Sequence, residues 1–234
     1  MTIQDMHYDF KTKLNKIDSQ QYRNLRIPEI DWKLNEAQEL FVKLVANPRL
    51  KSGLGFETSQ RTIDDIRSIV VDNYTRNVDA NGVVILPADY WSFISAKTTM
   101  TKGVCTGFEA SIRIKQHDDE YEKSPFDSSS FEWREVNGVF INEGLKLFTD
   151  GTFVNNVATI SYIKKLEYIN YSEGFGSGSY NLPNGDVLAG NVNCTLPIHT
   201  HREIVDIAVL IATADLQLPD WEQKQAKVNL NQRT

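Results

Sequence analysis

Residues 194–216, CTLPIHTHREIVDIAVLIATADL, carry a cysteine, two histidines and Glu203 in front of a helix that is apolar on nearly every side. Their reading decides the fold. Thr200 is followed three positions later by Glu203, just ahead of the apolar run, and that spacing predicts a capping box. The Thr200 hydroxyl would accept the Glu203 amide and the Glu203 carboxylate the Thr200 amide, so that donors at the helix start have partners. A metal site would instead need His199 and His201 to converge with Cys194 or Glu203. A His-x-His pair shares a face on a strand, not where a helix begins, and no second ligand motif such as HExxH follows. From residue 204 to 216 only Asp206, Thr213 and Asp215 are polar. A helix apolar nearly all round must be covered all round. It is either central in a helical core or partly covered by a second copy of the chain. The face in question is Ile204, Ile207, Ala208, Val209, Ile211 and Ala212.

The rest of the chain must supply that cover. It has 234 residues, 41% hydrophobic and 24% charged, enough for one large or two small domains with a real core. A net charge of −6 argues against a dedicated nucleic-acid or membrane-surface binder. No apolar run reaches the ~18–20 residues of a membrane span, and no signal-peptide h-region is read at the N-terminus. Two distant cysteines, Cys105 and Cys194, fit free thiols in a reducing compartment. Charge is uneven. Residues 10–26 hold five bases and one acid, residues 116–135 seven acids and two bases, and residues 223–234 three bases and no acid.

The ends read as helix and the middle as sheet. In IPEIDWKLNEAQELFVKLVANPRL (27–50), Pro28 suits a first helical turn and Leu34, Ala37, Phe41, Leu44 and Val45 recur at helical spacing. Asn47-Pro48 ends the pattern. A second helix fits TSQRTIDDIRSIVVDNY (58–74), capped by Ser59 or Thr62, with Ile63, Ile66, Ile69 and Val70 as its stripe. From residue 82 the period changes to two. GVVILP (82–87) reads as a short strand. WSFISAKTTMT (91–101) alternates Ile94, Ala96 and Met100 against Phe93, Ser95, Lys97 and Thr99. ASIRIKQ (110–116) alternates Ile112 and Ile114 against Ser111, Arg113 and Lys115. Asn137-Gly138 and Asp150-Gly151 predict two-residue hairpin turns, and VATISYIKKLEYI (157–169) a longer strand. Residues 171–200 read as a surface excursion with a small hairpin at Asn184-Gly185. The expected fold is α+β: a helical bundle from the N- and C-terminal segments with an antiparallel β-sandwich or barrel-like insertion. Its expected parts are 1–78, 79–195, 196–222 and an extended tail, 223–234.

No catalytic constellation emerges, and no cofactor or metal is expected. HDDE (117–120) lacks the spacing and glycine of an EF-hand loop. GFGSGS (174–179) lacks the Lys-Ser/Thr of a P-loop and the strand-to-helix setting of a dinucleotide fingerprint. The tail WEQKQAKVNLNQRT (221–234) is too polar for a core and reads as a segment that orders on a partner.

Several segments together resemble virion proteins of tailed bacteriophages: YRNLRIPEIDWKLNEAQELFVK (22–43), LPADYWSFISAKT (86–98), IRIKQHDDEYEKSPFDSSSFEW (112–133), VATISYIKKLEYI (157–169) and LPIHTHREIVDIAVLIATADLQLPDW (196–221). The pattern is similar to that of the head–tail adaptor, or ring, proteins beneath the portal of short-tailed, crAss-like phages. The resemblance implies a structural protein, not an enzyme. It implies a closed ring matching the portal's twelvefold order, assembled in the host cytoplasm and forming part of the channel through which DNA passes whatever its sequence. Its partners would be itself, the portal and an adjacent tail ring or tube protein. Lys224, Lys227, Val228, Leu230 and Arg233 would then be the portal-docking residues of the tail. The alternatives are another tail ring or tube protein, or a receptor- or carbohydrate-binding virion protein presenting aromatic residues from its β part.

Overall fold

The computed structural model describes residues 1–14, 25–46, 64–117, 128–142, 144–172, 179–181, 187–216, 225–226 and 228. The chain is α+β and divides into two compact units. One joins Met1–Ile69 to Leu166–Thr234, and the other is Val70–Lys165. The β-rich part is therefore shorter than the expected 79–195 at its C-terminal end and longer at its N-terminal end.

The unit made from both ends holds three long helices: α1 (Ile3–Leu14), α2 (Ile27–Ala46) and α3 (His201–Asp215). Helix α1 starts with a true capping box. The Thr2 hydroxyl accepts the Asp5 amide at 3.2 Å, and the Asp5 carboxylate accepts the Thr2 amide at 2.9 Å. Hydrogen bonding from the Thr2 amide, and from its hydroxyl, holds the Asp5 carboxyl below its usual pKa. Ile3, Met6, His7 and Phe10 form the buried stripe of α1. Helix α2 follows the expected spacing and buries Leu34, Ala37, Phe41 and Val45. Both helices pack on α3, and ion pairs pin them there. Lys13 of α1 reaches Asp206 at 3.0 Å, and Lys33 of α2 pairs with Asp215.

Residues 58–74 depart from the expected helix. Residues 64–66 are helical and Arg67–Ile69 form a 3-10 turn. At Val70 the backbone extends into β1 (Val70–Asn77), which pairs antiparallel with β7 (Val154–Lys164). Adjacent β-branched Val70 and Val71 favour that pairing over helix. Ser59, Thr62 and Ile63 lie outside the described residues.

The second unit is one curled, half-barrel sheet of seven strands. Between β1 and β7 in the chain come β2 (Val83–Ile85), β3 (Tyr90–Lys102), β4 (Cys105–Ile114), β5 (Glu135–Ile141) and β6 (Gly144–Leu147). The order across the sheet is β1-β7-β3-β4-β5-β6-β2. Its core gathers Val84, Met100, Ala110, Ile112, Val136, Leu145, Leu147, Ala158 and Ile160. Of the two expected forms, sandwich or barrel-like, the described strands of this unit form one curled sheet and not the two of a sandwich. Two details differ from the expected antiparallel hairpins. The β4–β5 pair is parallel. Parallel pairing needs a connection of a dozen residues or more, which 115–134 supplies. And Asn137-Gly138 is not a turn: β5 runs straight through it, with the Asn137 carbonyl accepting the Phe148 amide and the Gly138 carbonyl the Lys115 amide, each at 2.9 Å. A Cβ at Gly138 would sit 3.1–3.3 Å from the side chains of Ile112, Leu145 and Leu147, which would have to shift to admit it. The tight hairpin turn is instead at Gly103 and Val104, between the paired residues Lys102 and Cys105, where Gly103 has φ 58°. Asp150-Gly151 does turn the chain, with Gly151 at φ 83°, but it links β6 to β7, which are not neighbours in the sheet.

The strand faces hold with one exception. A bulge in β3 between Phe93 and Ser95 shifts the phase. Phe93 turns to the core beside Phe140, and Ile94 is exposed. A two-stranded ribbon, β8 (Ser179–Asn181) and β9 (Val187–Ala189), forms where a small hairpin was expected. Asn184 and Gly185 lie outside the described residues.

Gly144 is the tightest point of the sheet. A Cβ there would overlap the Val84 carbonyl oxygen on the neighbouring strand. Gly144→Ala should lower stability by about 2 kcal/mol, in the range of overpacked cores. Urea unfolding of Gly144→Ala against the wild type checks this, and a loss under about 0.5 kcal/mol would show that the neighbouring strand yields to the added methyl.

Candidate functional site

Helix α3 does not begin with the expected capping box. Pro197 starts a 3-10 turn, Ile198–Thr200, that runs directly into the helix. Thr200 is therefore already helical, at φ −83° and ψ −16°, and makes no side-chain cap. Its buried hydroxyl turns backwards and donates to the Pro197 carbonyl at 2.9 Å. The extra turn moves the first free amides upstream of the residue chosen by spacing, so Thr200 cannot point forward to the Glu203 amide.

The histidines and cysteine of this stretch part ways. His199 Nε2 lies 2.9 Å from the Asp65 carboxylate. His201 is buried between two carbonyls, with Nε2 2.8 Å from Leu196 O and Nδ1 3.2 Å from Met1 O. A neutral ring can donate to only one of them. Burial outweighs the second acceptor and holds the His201 pKa below its ordinary value. Cys194 is buried near Gln38, and burial pushes its thiol up to about 11. It is a poor nucleophile and a poor metal ligand. Among the described residues no group of three or more His, Cys, Asp or Glu is placed to hold a metal ion. Of the HDDE stretch, 118–120 lie outside the described residues, as does most of GFGSGS.

The apolar face of α3 is covered by the chain itself. Ile204, Ile207, Ala208, Val209 and Ala212 are buried, and Ile211 is half-buried. Five of the six residues expected at a subunit interface are therefore covered within the chain, where α1 and α2 pack on α3. In the tail, Val228 is helical and only 7% exposed, where an extended, free side chain was expected. Lys224, Lys227, Leu230 and Arg233 lie outside the described residues.

A polar arrangement that the sequence reading did not single out occupies the second face of α2. Asp31, Asn35 and Gln38 are all buried, and together they bind the backbone of an extended stretch, 167–171. Gln38 Nε2 donates to Glu167 O at 3.0 Å. Asn35 Nδ2 donates to Ile169 O at 2.9 Å and its Oδ1 accepts the Ile169 amide at 2.8 Å. Asp31 Oδ2 accepts the Tyr171 amide at 3.2 Å. The other Asp31 oxygen takes His7 Nε2 of α1 at 2.7 Å. His7 Nδ1 is buried with no hydrogen-bond partner among the described residues. A histidine oriented by a carboxylate is half of a nucleophile-activating triad. Here the Tyr171 ring packs on the imidazole at 5.0 Å, and no described hydroxyl or thiol bonds to its free nitrogen. The signal was present in the sequence as i, i+4, i+7 spacing of three polar residues beside an apolar stripe.

The described cavity of most interest lies in the sheet unit, with a volume of about 550 Å³. It opens between β1 and β2, the two edges of the sheet. The strands are joined by a tight turn in which the Asp79 amide donates to Val83 O and Asp79 Oδ1 accepts the Asn81 and Val83 amides. Beyond that turn they part, and residues 74–77 face 85–88 across the gap. On its inner side Tyr162, under Tyr74, donates to Asp89 at 2.9 Å. Burial and that carboxylate push the phenol up to about 12. No described helix is long and apolar enough to cross a membrane. No protein-family model matches the chain, and comparison with curated proteins gives no match.

Two measurements probe this geometry. Asn35→Ala leaves both backbone groups of Ile169 buried without partners, each costing about 1–3 kcal/mol. We expect a loss of about 3 kcal/mol in urea unfolding, against about 1 kcal/mol for Thr200→Val, which removes one bond and keeps the volume. A small effect at Asn35 would mean the stretch is held by its side chains alone. For His201, the lowered folded pKa means the unfolded chain binds the proton more readily. Its stabilisation is full above the ordinary histidine pKa and is lost as pH falls through that value toward the folded one. The thermal midpoint should thus fall more steeply between pH 7 and 5 in the wild type than in His201→Gln. Parallel slopes would show an imidazole unshifted by burial, and a shallower fall in the wild type an imidazolium bound to both carbonyls.

Proposed function

We propose that the chain is a structural protein of a tailed-phage virion, a ring-forming head–tail adaptor that docks beneath the portal and lines part of the DNA channel. The observation that carries this reading is the resemblance of five segments, in order, spread between residues 22 and 221. It is supported by the build of the chain: both ends contribute to one helical unit, and a β-rich stretch is inserted between them. In this reading α1, α2 and α3 are the helical bundle and the curled sheet is the barrel-like insertion. The portal-docking bases are Lys224, Lys227 and Arg233, with Leu230 as the apolar anchor. Val228, being buried, is not part of it.

Ring contacts must lie outside the covered face of α3. Tyr8 on α1 and Trp32 on α2 are the large aromatic residues that the described helices leave exposed. Exposed aromatic residues contribute strongly when an interface covers them. A closed ring requires heterologous contacts, in which one face of a subunit meets a different face of its neighbour.

Negative-stain microscopy and native mass spectrometry of the full chain, alone and with portal protein, test the reading. Closed rings of uniform copy number are expected on the portal, and Trp32→Glu should lower their yield while leaving the thermal midpoint within about 1 °C, as for an exposed substitution. A chain that stays monomeric at every concentration and fails to bind portal would end this proposal.

A further inference from the structure

We infer that the gap between β1 and β2 is a docking site for one extended peptide strand, which would add to the β1 edge and carry an acidic side chain toward Arg76. The backbone argument comes first. In an antiparallel pair, residues alternate between those bonded to the neighbour and those pointing away. The Val78 amide donates to Asn156 O on the β7 side. By the register of the pair, Arg76 and Tyr74 are also bonded to β7, and Thr75 and Asn77 point away from it. On the other edge the Leu147 amide donates to Gly82 O, so Val84 is bonded to β6, and Val83 and Ile85 point away. Val83 is satisfied by Asp79. Thr75, Asn77 and Ile85 therefore present N–H and C=O groups to the gap with no ladder partner among the described residues. Two facing edges of unpaired backbone specify an extended chain as occupant.

Side chains narrow its chemistry. Alternation places Tyr74 and Arg76 on the inner face of the sheet and Thr75, Asn77 and Ile85 on the outer. The Arg76 guanidinium donates to the Tyr74 hydroxyl at 2.6 Å and stacks on its ring, with no described carboxylate paired to it. An acidic side chain on the inner face of the added strand would complete it. Ile85 is 69% exposed and would cover a β-branched residue on the outer face. A second copy pairing edge to edge is a worse fit. Two-fold β1–β1 pairing would bring Arg76 toward its own copy, and the bulge at Asn73, φ 60°, bends the strand away from a flat partner. This inference does not depend on the virion reading.

The test uses the full chain and a short synthetic peptide in which valine alternates with threonine around one central glutamate, with a lysine version as its counterpart. In the free protein the Thr75, Asn77 and Ile85 amides should exchange rapidly by NMR, and those of Arg76 and Val84 slowly. The glutamate peptide should protect the three fast amides and bind about fivefold tighter than the lysine peptide, the ratio for one half-exposed charge pair. Arg76→Glu should reverse that preference. Thr75→Pro removes an outward N–H without touching the β7 ladder and should abolish binding. Ile85→Pro makes the same test on the other edge, should either variant fold poorly. Three fast amides already protected in the free chain would overturn the inference, with a concentration-dependent protection naming a second copy as the occupant. So would a glutamate peptide that leaves those amides unprotected at saturation, or equal affinity for the two peptides.

Discussion

The side-chain ladder along α2 is the constraint from which the helical unit is built. A helix advances about 5.4 Å per turn and an extended chain about 6.6–6.8 Å per two residues. Over two turns the mismatch is small enough for flexible amides to absorb. Asp31, Asn35 and Gln38 can thus meet the backbone at 171, 169 and 167, with the stretch running opposite to the helix. Those side chains do for the extended segment what a neighbouring strand does in a sheet. Without them its buried amides and carbonyls would have no partner, at a cost comparable to much of a domain's net stability. The ladder also spreads. Asp31 ties in α1 through His7. Asn170, held between two rungs, exchanges backbone bonds with Val192 and donates its side-chain amide to Gly190 O. Asn191 and Asn193 continue the pattern, to Ser172 and to the Ile3 amide that begins α1.

This explains why part of the fold was legible and part was not. Helices α2 and α3 and strands β3, β4 and β7 are written as apolar periodicity, a local property that survives without a structure. The ladder is written in Asp, Asn and Gln, residues whose ordinary place is the surface. Their spacing is visible, but the partner is a backbone more than a hundred positions away, and backbone leaves no mark in sequence. Helix α1 had a readable cap in Thr2 and Asp5. Its stripe was obscured because one member, His7, is polar, and it is buried only because Asp31 waits for it.

The remaining misreadings share a cause: a motif names a local geometry, and the next residues decide whether it is used. Thr200 and Glu203 have capping-box spacing, but Pro197 adds a turn ahead of them. Asn137-Gly138 has hairpin chemistry, but the hydroxyl of Ser129 takes the Asn137 amide and the carbonyls feed neighbouring strands, so the dipeptide stays extended. The apolar helix α3 was equally compatible with a core and with an interface, because composition reports that a face is covered and not by what. Two helices of the same chain suffice, one of them placed only once the ladder is known.

The sheet shows the converse, an edge left open by construction. Edge strands invite pairing with other molecules, and proteins blunt them with short length, charge, bulges and proline. The two edges here carry all four: β2 is three residues long and is followed by Pro87, while β1 has the Asn73 bulge and Arg76. These devices act against a long, flat, neutral partner. They do not act against a short strand entering between the edges, where a bulge is bypassed and a cation can be met. The curl has the same effect. The Asp79 turn holds β1 and β2 together at one end, Gly144 lets β2 close tightly onto β6, and the gap left above the turn is bounded on both sides by directed backbone donors and acceptors. An edge shaped in this way rejects most polypeptide surfaces and keeps one narrow class, so that protection from aggregation and selectivity for a ligand arise from the same residues.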